Sequence, residues 1–241
     1  MRTTKIPTYS TWKDVQLPDF NPQSTSKGAR EVLEWAYRSY GGKVVYSCSF
    51  GVEGIVLIDL IYSVKKEASV IFLDTDFHFK ETYELIRRVE NRYPKLHIIR
   101  LKPALTPQQQ AEKYGDALWA RRPDLCCNIR KIQPLAARIG AYDAWISGLR
   151  HEQSPTRRSV AYVNRDEKFH SVKICPLIYW TWDDVWDYVH SRQLPYNPLH
   201  DQNYPSIGCT FCTRAVKPGE SQRAGRWSAF DKTECGLHLN K

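Results

Sequence analysis

The 241-residue sequence lacks any run of about 18 apolar residues, the length that a membrane-spanning helix needs. Its first residues, MRTTKIPTYSTWKDVQ, also lack the apolar segment of a secretory signal peptide. We therefore expect no membrane association and a cytoplasmic location, where thiols stay reduced. The seven cysteines are then expected to be catalytic or metal-binding rather than disulfide-bonded.

Two common nucleotide-binding signatures are absent as well. No Walker A ending GK[ST] occurs, and no dinucleotide-binding GxGxxG follows a predicted strand. The net charge of +9 nevertheless indicates an anionic partner. Nucleic acid, a small multiply charged substrate and an acidic protein all fit that charge, and composition does not decide among them.

Short apolar segments alternate with helical patterns along most of the chain, which predicts an α/β fold with a mostly parallel sheet covered by helices on both faces. The predicted strands are 43–50, 69–75, 96–101, 143–150 and 171–177. The predicted helices are 29–40, 55–66, 81–93, one beginning at Thr106, one around Cys126 that Pro134 kinks or ends, and one beginning at Thr181. We divide the chain into an N-terminal arm (1–25), one α/β domain (26–215) and a C-terminal tail (216–241).

Four cysteines carry the strongest chemical signal. Cys126 and Cys127 are adjacent, and Cys209 and Cys212 form a CxxC in a proline-flanked segment. Four thiolates suit either a [4Fe–4S] cluster or a structural zinc ion. Neighbouring side chains on a helix diverge by about 100°, which is awkward for one small ion. The spacing therefore favours a cluster and leaves zinc open.

Three further segments suggest an anion site, although each also has an ordinary structural explanation. The loop SCSFGVEG follows the first predicted strand and precedes a helix, where backbone N–H groups bind anions. Arg150, Arg157 and Arg158 follow the fourth strand, at the edge where ligands of open α/β sheets bind. Lys131 lies four residues after Cys127, on the same face if the segment is helical.

The tail contains the fifth notable cysteine, Cys235, with His238 three residues later and Arg223, Arg226 and Lys232 upstream. Positive neighbours favour the nucleophilic thiolate, whereas Glu234 opposes it. The following glycine and the lack of periodicity predict a flexible segment that moves in and out of a site. Cys48 and Cys175 are interpreted as core thiols, and the histidines at 78, 151 and 170 as surface or supporting groups.

Taken together, these motifs resemble the assimilatory sulfonucleotide reductases, the adenylyl-sulfate and phosphoadenylyl-sulfate reductase family. The resemblance runs from about Val44 to the C-terminus. It is carried by CCNIRK, YPSIGCTFC, RAGRW and KTECGLH, with support from FLDTDFHFKETYELI and GLRHEQSPTR. It implies an adenine nucleotide alpha hydrolase-like, Rossmann-like fold. The CC plus CxxC set is typical of the branch that carries a [4Fe–4S] cluster and uses adenylyl sulfate.

The resemblance also implies an oxidoreductase of assimilatory sulfate reduction and cysteine biosynthesis. Cys235 would attack the sulfur of adenylyl sulfate to give an S-sulfocysteine and AMP, and thioredoxin or glutaredoxin would then release sulfite. The cluster would be held by Cys126, Cys127, Cys209 and Cys212. The substrate-binding residues implied are Ser49, Gly51, Thr75, Lys131, Arg150, Arg223, Arg226 and His238. A homo-oligomer is compatible with the sequence, and neither nucleic acid nor a membrane is expected as a partner.

One departure from the family pattern concerns the nucleotide loop. The family sequence is close to SFSGAED, whereas this chain has SFGVEG and so lacks a serine and an aspartate. The same reaction on phosphoadenylyl sulfate, or on both nucleotides, therefore remains an alternative. Two more distant alternatives are an ATP pyrophosphatase, whose SGGxDS-type loop is absent, and a zinc-containing nucleic-acid-binding protein.

Overall fold

The computed structural model describes residues 6–230, 232, 234, 236 and 237. Within those residues, no helix combines the length and the apolar character that crossing a membrane requires.

Six strands form one sheet in the order β3-β2-β1-β4-β6-β5. The strands are β1 (Val44–Cys48), β2 (Ser69–Leu73), β3 (His97–Leu101), β4 (Ala144–Ile146), β5 (Val163–Asp166) and β6 (Ser171–Ile174). All neighbouring pairs are parallel except β5 and β6, which pair antiparallel at one edge. The predicted mostly parallel sheet is confirmed.

Eight helices accompany the sheet in the described part of the chain. They are α1 (Ser26–Tyr40), α2 (Val52–Val64), α3 (Lys80–Arg92), α4 (Pro107–Tyr114), α5 (Leu118–Arg121), α6 (Pro123–Cys127), α7 (Gln133–Ile139) and α8 (Trp182–Ser191). Two of them begin with a capping box, in which Thr106 and Thr181 accept from the backbone three residues later. Both starts were predicted from the same residues.

Alternating side chains of the strands divide the core between the two faces of the sheet. Val44 and Tyr46 pack in a cluster with residues of α1, α2, α3 and α8, whereas Val45 packs with residues of α7 on the other face. Each large apolar side chain that is fully buried in this way stabilises the fold by roughly 1.5–3 kcal/mol. Helices therefore cover both faces, as predicted.

Three local features differ from the sequence-based expectation. The edge strand β5 was not predicted, because its residues VNRD are mostly polar and its neighbours mark a turn. Residues Asn128–Ile132 form a turn of π-helix between α6 and α7. Pro134 is the second residue of α7 and follows that π turn in one continuous helical run, so the regular α-helix around Cys126 is interrupted before the proline but the chain stays helical through it.

Candidate active site

A cleft lies at the carboxyl ends of β1 and β4, the two central strands of the sheet. The strand order reverses between β1 and β4. In the sheet, β2 and then β3 lie beyond β1 on one side, whereas β6 and β5 lie beyond β4 on the other side. Open α/β sheets bind ligands at such a point. The cavity volume is about 180 Å³. Its walls include both strand-to-helix connections and the segments 205–208 and 222–227.

The loop between β1 and α2 forms the floor of the cleft, and Ser49 and Gly51 both line it. Phe50 adopts a φ of 55°, a rare conformation for a bulky side chain, and its buried ring packs against Phe72. Among the described residues, none provides a side-chain cap at the start of α2. Because the first residues of α2 also line the cleft, the unpaired N–H groups of that turn offer a site for an anion.

Arg150 lies in the connection that follows β4. Its side chain is fully buried and donates hydrogen bonds to two carboxylates. Its Nε and Nη2 donate to Glu53 Oε1 at 3.1 and 3.0 Å, and its Nη1 donates to Glu152 at 3.1 Å. Burial raises the pKa of Glu53, but the charge of Arg150 and hydrogen bonds from Arg150 and Gln153 outweigh it, so the pKa is lowered overall. Glu53 is therefore ionised, and the pair fixes the predicted Arg150 beside the loop.

Replacing Arg150 with alanine should lower the free energy of unfolding by about 3–5 kcal/mol, because Glu53 would keep a buried charge without its partner. Urea denaturation measures this change. The Glu53 contribution should be present above the ordinary glutamate pKa of 4.5 and be lost as the pH falls below it. Arg30→Ala is a matched control, since Arg30 pairs with Glu34 on the surface, where about 0.5 kcal/mol is expected. Equal losses in the two variants would contradict the structural role.

Basic side chains dominate the charge of the cleft. Among the described residues, five basic groups and two carboxylates line it: Lys131, Arg150, Arg157, Arg223, Arg226, Glu53 and Glu234. Arg226 lies over the Trp227 ring at 4.4 Å and donates to Ser206 Oγ at 3.4 Å, which orients its guanidinium group. The excess of positive charge suits a polyanionic ligand, and arginine suits bidentate contacts with oxyanions.

The four predicted cysteine ligands line a second, adjacent cavity. Cys126 and Cys127 end α6, whereas Cys209 and Cys212 flank a 3₁₀ turn. Burial and then the nearby thiolates of the other three cysteines raise the pKa of Cys126 to about 12. Burial likewise raises the pKa of Cys212 to about 11, ahead of the effect of its cysteine neighbours. Ionised Cys126 and Cys212 therefore need a compensating positive group in this cavity.

Unpaired donors around that cavity fit a sulfur-rich group. Among the described residues, the buried Nε and Nη2 of Arg130, Nε of Arg226 and Nε1 of Trp227 have no hydrogen-bond acceptor. All three side chains line the cysteine cavity. Buried N–H groups are normally satisfied, and sulfide and thiolate sulfur would accept from them. Within the described part of the chain, no group of three or more His, Cys, Asp or Glu side chains is arranged to hold a single metal ion.

Two of the predicted substrate-binding residues, Lys131 and Arg226, line both the cleft and the cysteine cavity. Thr75 is fully buried and lies against the cysteines instead of lining the cleft, with its hydroxyl 3.3 Å from Cys209 Sγ. Its carbonyl accepts from Arg130 Nη1 at 3.0 Å. Thr75 therefore contacts the cysteine site in the structure, and its role in substrate binding stays a prediction.

The predicted nucleophile Cys235 and the predicted substrate-binding residue His238 lie outside the described residues. Their described neighbours Glu234 and Leu237 both line the cleft. The described residue Lys232 contacts Asp124 at 2.5 Å, which ties this segment to α6. The described residues 232, 234, 236 and 237, which we call the C-terminal segment, therefore reach the site that the sheet, the loop and the basic residues form.

Several cleft residues were not assigned a role from the sequence. Arg157 belongs to the basic run after Arg150, but its position in the cleft could not be read from that run. Trp182, His78 and His200 also line the cleft. Burial lowers the pKa of His78 to about 4, so its ring is neutral at neutral pH and donates to the carbonyl of Leu73. An aromatic or histidine in a loop carries no local signal of this kind.

The comparison with known proteins agrees with the fold. Residues 43–215 match the phosphoadenosine phosphosulfate reductase domain. Proteins named adenosine 5′-phosphosulfate reductase are similar over most of their length. The one from Halalkalibacterium halodurans is 59% identical over 93% of this chain and 97% of its own. Adenosine 5′-phosphosulfate reductase 1 of Bacillus subtilis is 55% identical over 96% of this chain and 99% of its own.

Two solved structures are similar to the chain. The phosphoadenylyl-sulfate reductase from Candida auris, in a phosphate complex, superposes with a TM-score of 0.66 and 30% identity, covering 84% of this chain and 99% of that one. The FMN adenylyltransferase of Candida glabrata superposes with a TM-score of 0.56 at 15% identity, covering 89% of this chain and 75% of that one. At that identity the second likeness concerns the fold alone.

Proposed function

This chain belongs to the phosphoadenosine phosphosulfate reductase domain family, and from that premise we propose that it reduces adenylyl sulfate to sulfite and AMP in sulfate assimilation. The observation that carries the proposal is the identity of 54–59% to proteins named adenosine 5′-phosphosulfate reductase, which covers at least 90% of this chain. The basic cleft at the switch point of the sheet supports it, because a phosphosulfate anhydride is polyanionic.

The proposed reaction uses a thiol. The thiolate of Cys235 attacks the sulfur of the bound nucleotide, a sulfur–sulfur bond forms, and the bond from sulfur to the bridging oxygen breaks. AMP leaves with that electron pair, so no strong general acid is needed. A dithiol protein such as thioredoxin or glutaredoxin then attacks the Cys235 sulfur and releases sulfite. Its second thiol resolves the mixed disulfide, regenerates the Cys235 thiol and leaves the reductant as a disulfide.

Cations of the cleft make the first step electrostatically possible. A negatively charged thiolate and a polyanionic substrate repel each other unless positive groups lie between or around them. Lys131, Arg150, Arg223 and Arg226 line the cleft and would offset that repulsion. Arginine forks bind the oxyanions in a fixed orientation, and the ammonium of Lys131 acts as a point charge. Ser49 and Gly51 would contact the nucleotide at the start of α2.

A [4Fe–4S] cluster held by Cys126, Cys127, Cys209 and Cys212 is part of the proposal. The unpaired N–H groups of Arg130, Arg226 and Trp227 and the raised thiol pKa of Cys126 fit such a group. When bound, it would supply structural cross-linking and an electrostatic field beside the substrate. Both electrons for the reaction come from the dithiol reductant, so the cluster need not change its oxidation state.

Turnover with the two sulfonucleotides tests the substrate. Purified protein with thioredoxin should release sulfite from adenylyl sulfate, and iron should be found together with the brown colour of a cluster. A higher kcat/KM with phosphoadenylyl sulfate would replace the proposed substrate by the alternative one. Release of sulfite from neither nucleotide would overturn the proposed activity. Zinc in place of iron would overturn the cluster.

Lys131→Ala should lower kcat/KM by roughly tenfold to a hundredfold while the iron content stays unchanged, because one charge-assisted contact is lost. Steady-state kinetics and an iron assay measure the two quantities. Lys66→Ala is the control, since exposed Lys66 follows the end of α2 that is remote from the cleft. Unchanged kinetics in Lys131→Ala would remove Lys131 from the site, and lost iron would make its role structural.

A further inference from the structure

Glu234 carries a buried carboxylate inside the cleft, with the residue only 5% exposed. Arg157 holds it in a bidentate pair, with Nε to Oε1 and Nη2 to Oε2 both at 2.9 Å. Arg223 Nη2 contacts the same carboxylate at 3.4 Å. Burying a carboxylate is unfavourable unless cations and hydrogen bonds compensate it. This pairing is therefore a specific contact between the body of the protein and the C-terminal segment.

A second, independent contact holds the same segment on the other side of position 235. Leu237 is 9% exposed and packs into the hydrophobic cluster of α7 and β4, against residues that include Ile139, Trp145 and Phe169. The ammonium of Lys168, in the turn between β5 and β6, donates to the carbonyl of Gly236. A polar and an apolar anchor thus flank the position of the proposed nucleophile.

The backbone at Gly236 makes this double attachment possible. Its φ is 85°, a conformation that favours glycine, and a Cβ there would lie 3.2 Å from Ile132 Cδ1. The chain can therefore turn from the arginine pair toward the hydrophobic cluster within three residues. The glycine of ECGLH is the sequence feature that corresponds to this turn. From the sequence alone, that glycine predicts only flexibility.

We propose that Glu234 is a positioning residue: its carboxylate, held by Arg157 and Arg223, docks the C-terminal segment so that the adjacent thiol of Cys235 meets the substrate. Leu237 is the second anchor of the same docked state. The inference rests on the proposed function for its kinetic consequence, whereas the docking contact stands on the structure.

The pairing also changes the electrostatic meaning of Glu234. From the sequence alone, its negative charge next to Cys235 opposes thiolate formation and repels an anionic substrate. In the structure that charge is neutralised by two guanidinium groups. Docking therefore brings the thiol into the cleft beside a carboxylate whose charge is compensated by the arginines that bind it, whereas glutamine could not form a charged pair with them.

Glu234→Gln in the full-length, iron-containing protein tests the proposal. Amide hydrogen exchange of the C-terminal peptide should become about tenfold faster, because the charged pair is lost. Formation of the S-sulfocysteine at Cys235 in a single turnover with adenylyl sulfate should slow by at least about tenfold, while KM changes by less than about threefold. Leu237→Ala should produce the same pattern through the other anchor.

Glu220→Gln is the matched control. Glu220 pairs with Arg214 in a bidentate contact at 2.7 and 2.9 Å, but neither residue lines the cleft. Wild-type exchange and single-turnover rates are expected for it. The proposal fails if Glu234→Gln matches the wild type in both measurements, or if exchange accelerates without any slowing of adduct formation. If the wild-type protein forms no adduct, the proposed function is refuted. The hydrogen-exchange measurement then tests the docking contact by itself.

Discussion

Cys235→Ser is expected to abolish sulfite release from adenylyl sulfate, with a loss of at least about a thousandfold, while iron content and nucleotide binding stay as in the wild type. A serine hydroxyl is hardly ionised at neutral pH and is a much weaker nucleophile than a thiolate. It also cannot form the sulfur–sulfur bond that the thiol reductant has to attack. Loss of the chemical step with binding retained is the kinetic signature of a missing nucleophile.

The other cysteines of the chain are poorly suited to that role. Of the seven, six lie in the described part of the chain. Four of these line the cavity proposed for the cluster. The remaining two, Cys48 and Cys175, are buried, and burial raises the pKa of each thiol to about 12. Neither would be a thiolate at neutral pH. The elimination therefore leaves Cys235, whose described neighbour Glu234 lies in the cleft.

Mass spectrometry of the protein after incubation with adenylyl sulfate, in the absence of reductant, measures the proposed intermediate directly. Wild-type protein should gain one SO₃ group on the peptide that contains Cys235, and Cys235→Ser should gain none. Cys175→Ala is the control, because it removes a buried thiol without touching the cleft, and it should form the adduct normally. Normal turnover by Cys235→Ser would refute the assignment of the nucleophile.

Local patterns in the sequence were sufficient for most of the fold. The strands β1 and β2 are short, almost entirely apolar segments, and α1 shows an apolar stripe that ends at glycine. The start of α8 was predicted from the Thr181 capping box. Each of these signals involves residues only a few positions apart, so it can be recognised without knowledge of the tertiary structure. The polar edge strand β5 has no such signal and was missed.

The arrangement of the site depends on pairs that are distant in the sequence. Glu53 and Arg150 are 97 residues apart, and Arg157 and Glu234 are 77 apart. No periodicity links such residues, so the sequence indicated which residue types were chemically useful without indicating their partners. Thr75 illustrates the limit. Its position after β2 predicts a place near the nucleotide, but nothing in the local sequence indicates that its hydroxyl lies 3.3 Å from Cys209 Sγ.

Cys212→Ala is expected to lose most of the bound iron and to lower turnover by at least about a hundredfold. Cys212 is one of four cysteines that line this cavity, and burial, followed by the charges of the neighbouring cysteines, raises the pKa of Cys126 and of Cys212. Bonds from a metal group to the four sulfur atoms would offset the cost of ionising these buried thiols. Removing one of the four ligands is therefore expected to weaken the binding of the metal group strongly. The unpaired N–H groups of Arg130 and Trp227 would then lose their acceptor and destabilise the neighbouring segment.

An iron assay and the visible absorption of freshly purified protein measure the first effect, and sulfite release measures the second. Cys48→Ala serves as the control, since Cys48 is a buried thiol outside the cysteine cavity and should leave the iron content unchanged. Full iron and colour in Cys212→Ala would refute the proposed ligand set. The second effect follows from the first because Lys131 and Arg226 line both cavities, so a collapse around the cysteines displaces two of the cations that the anionic substrate needs.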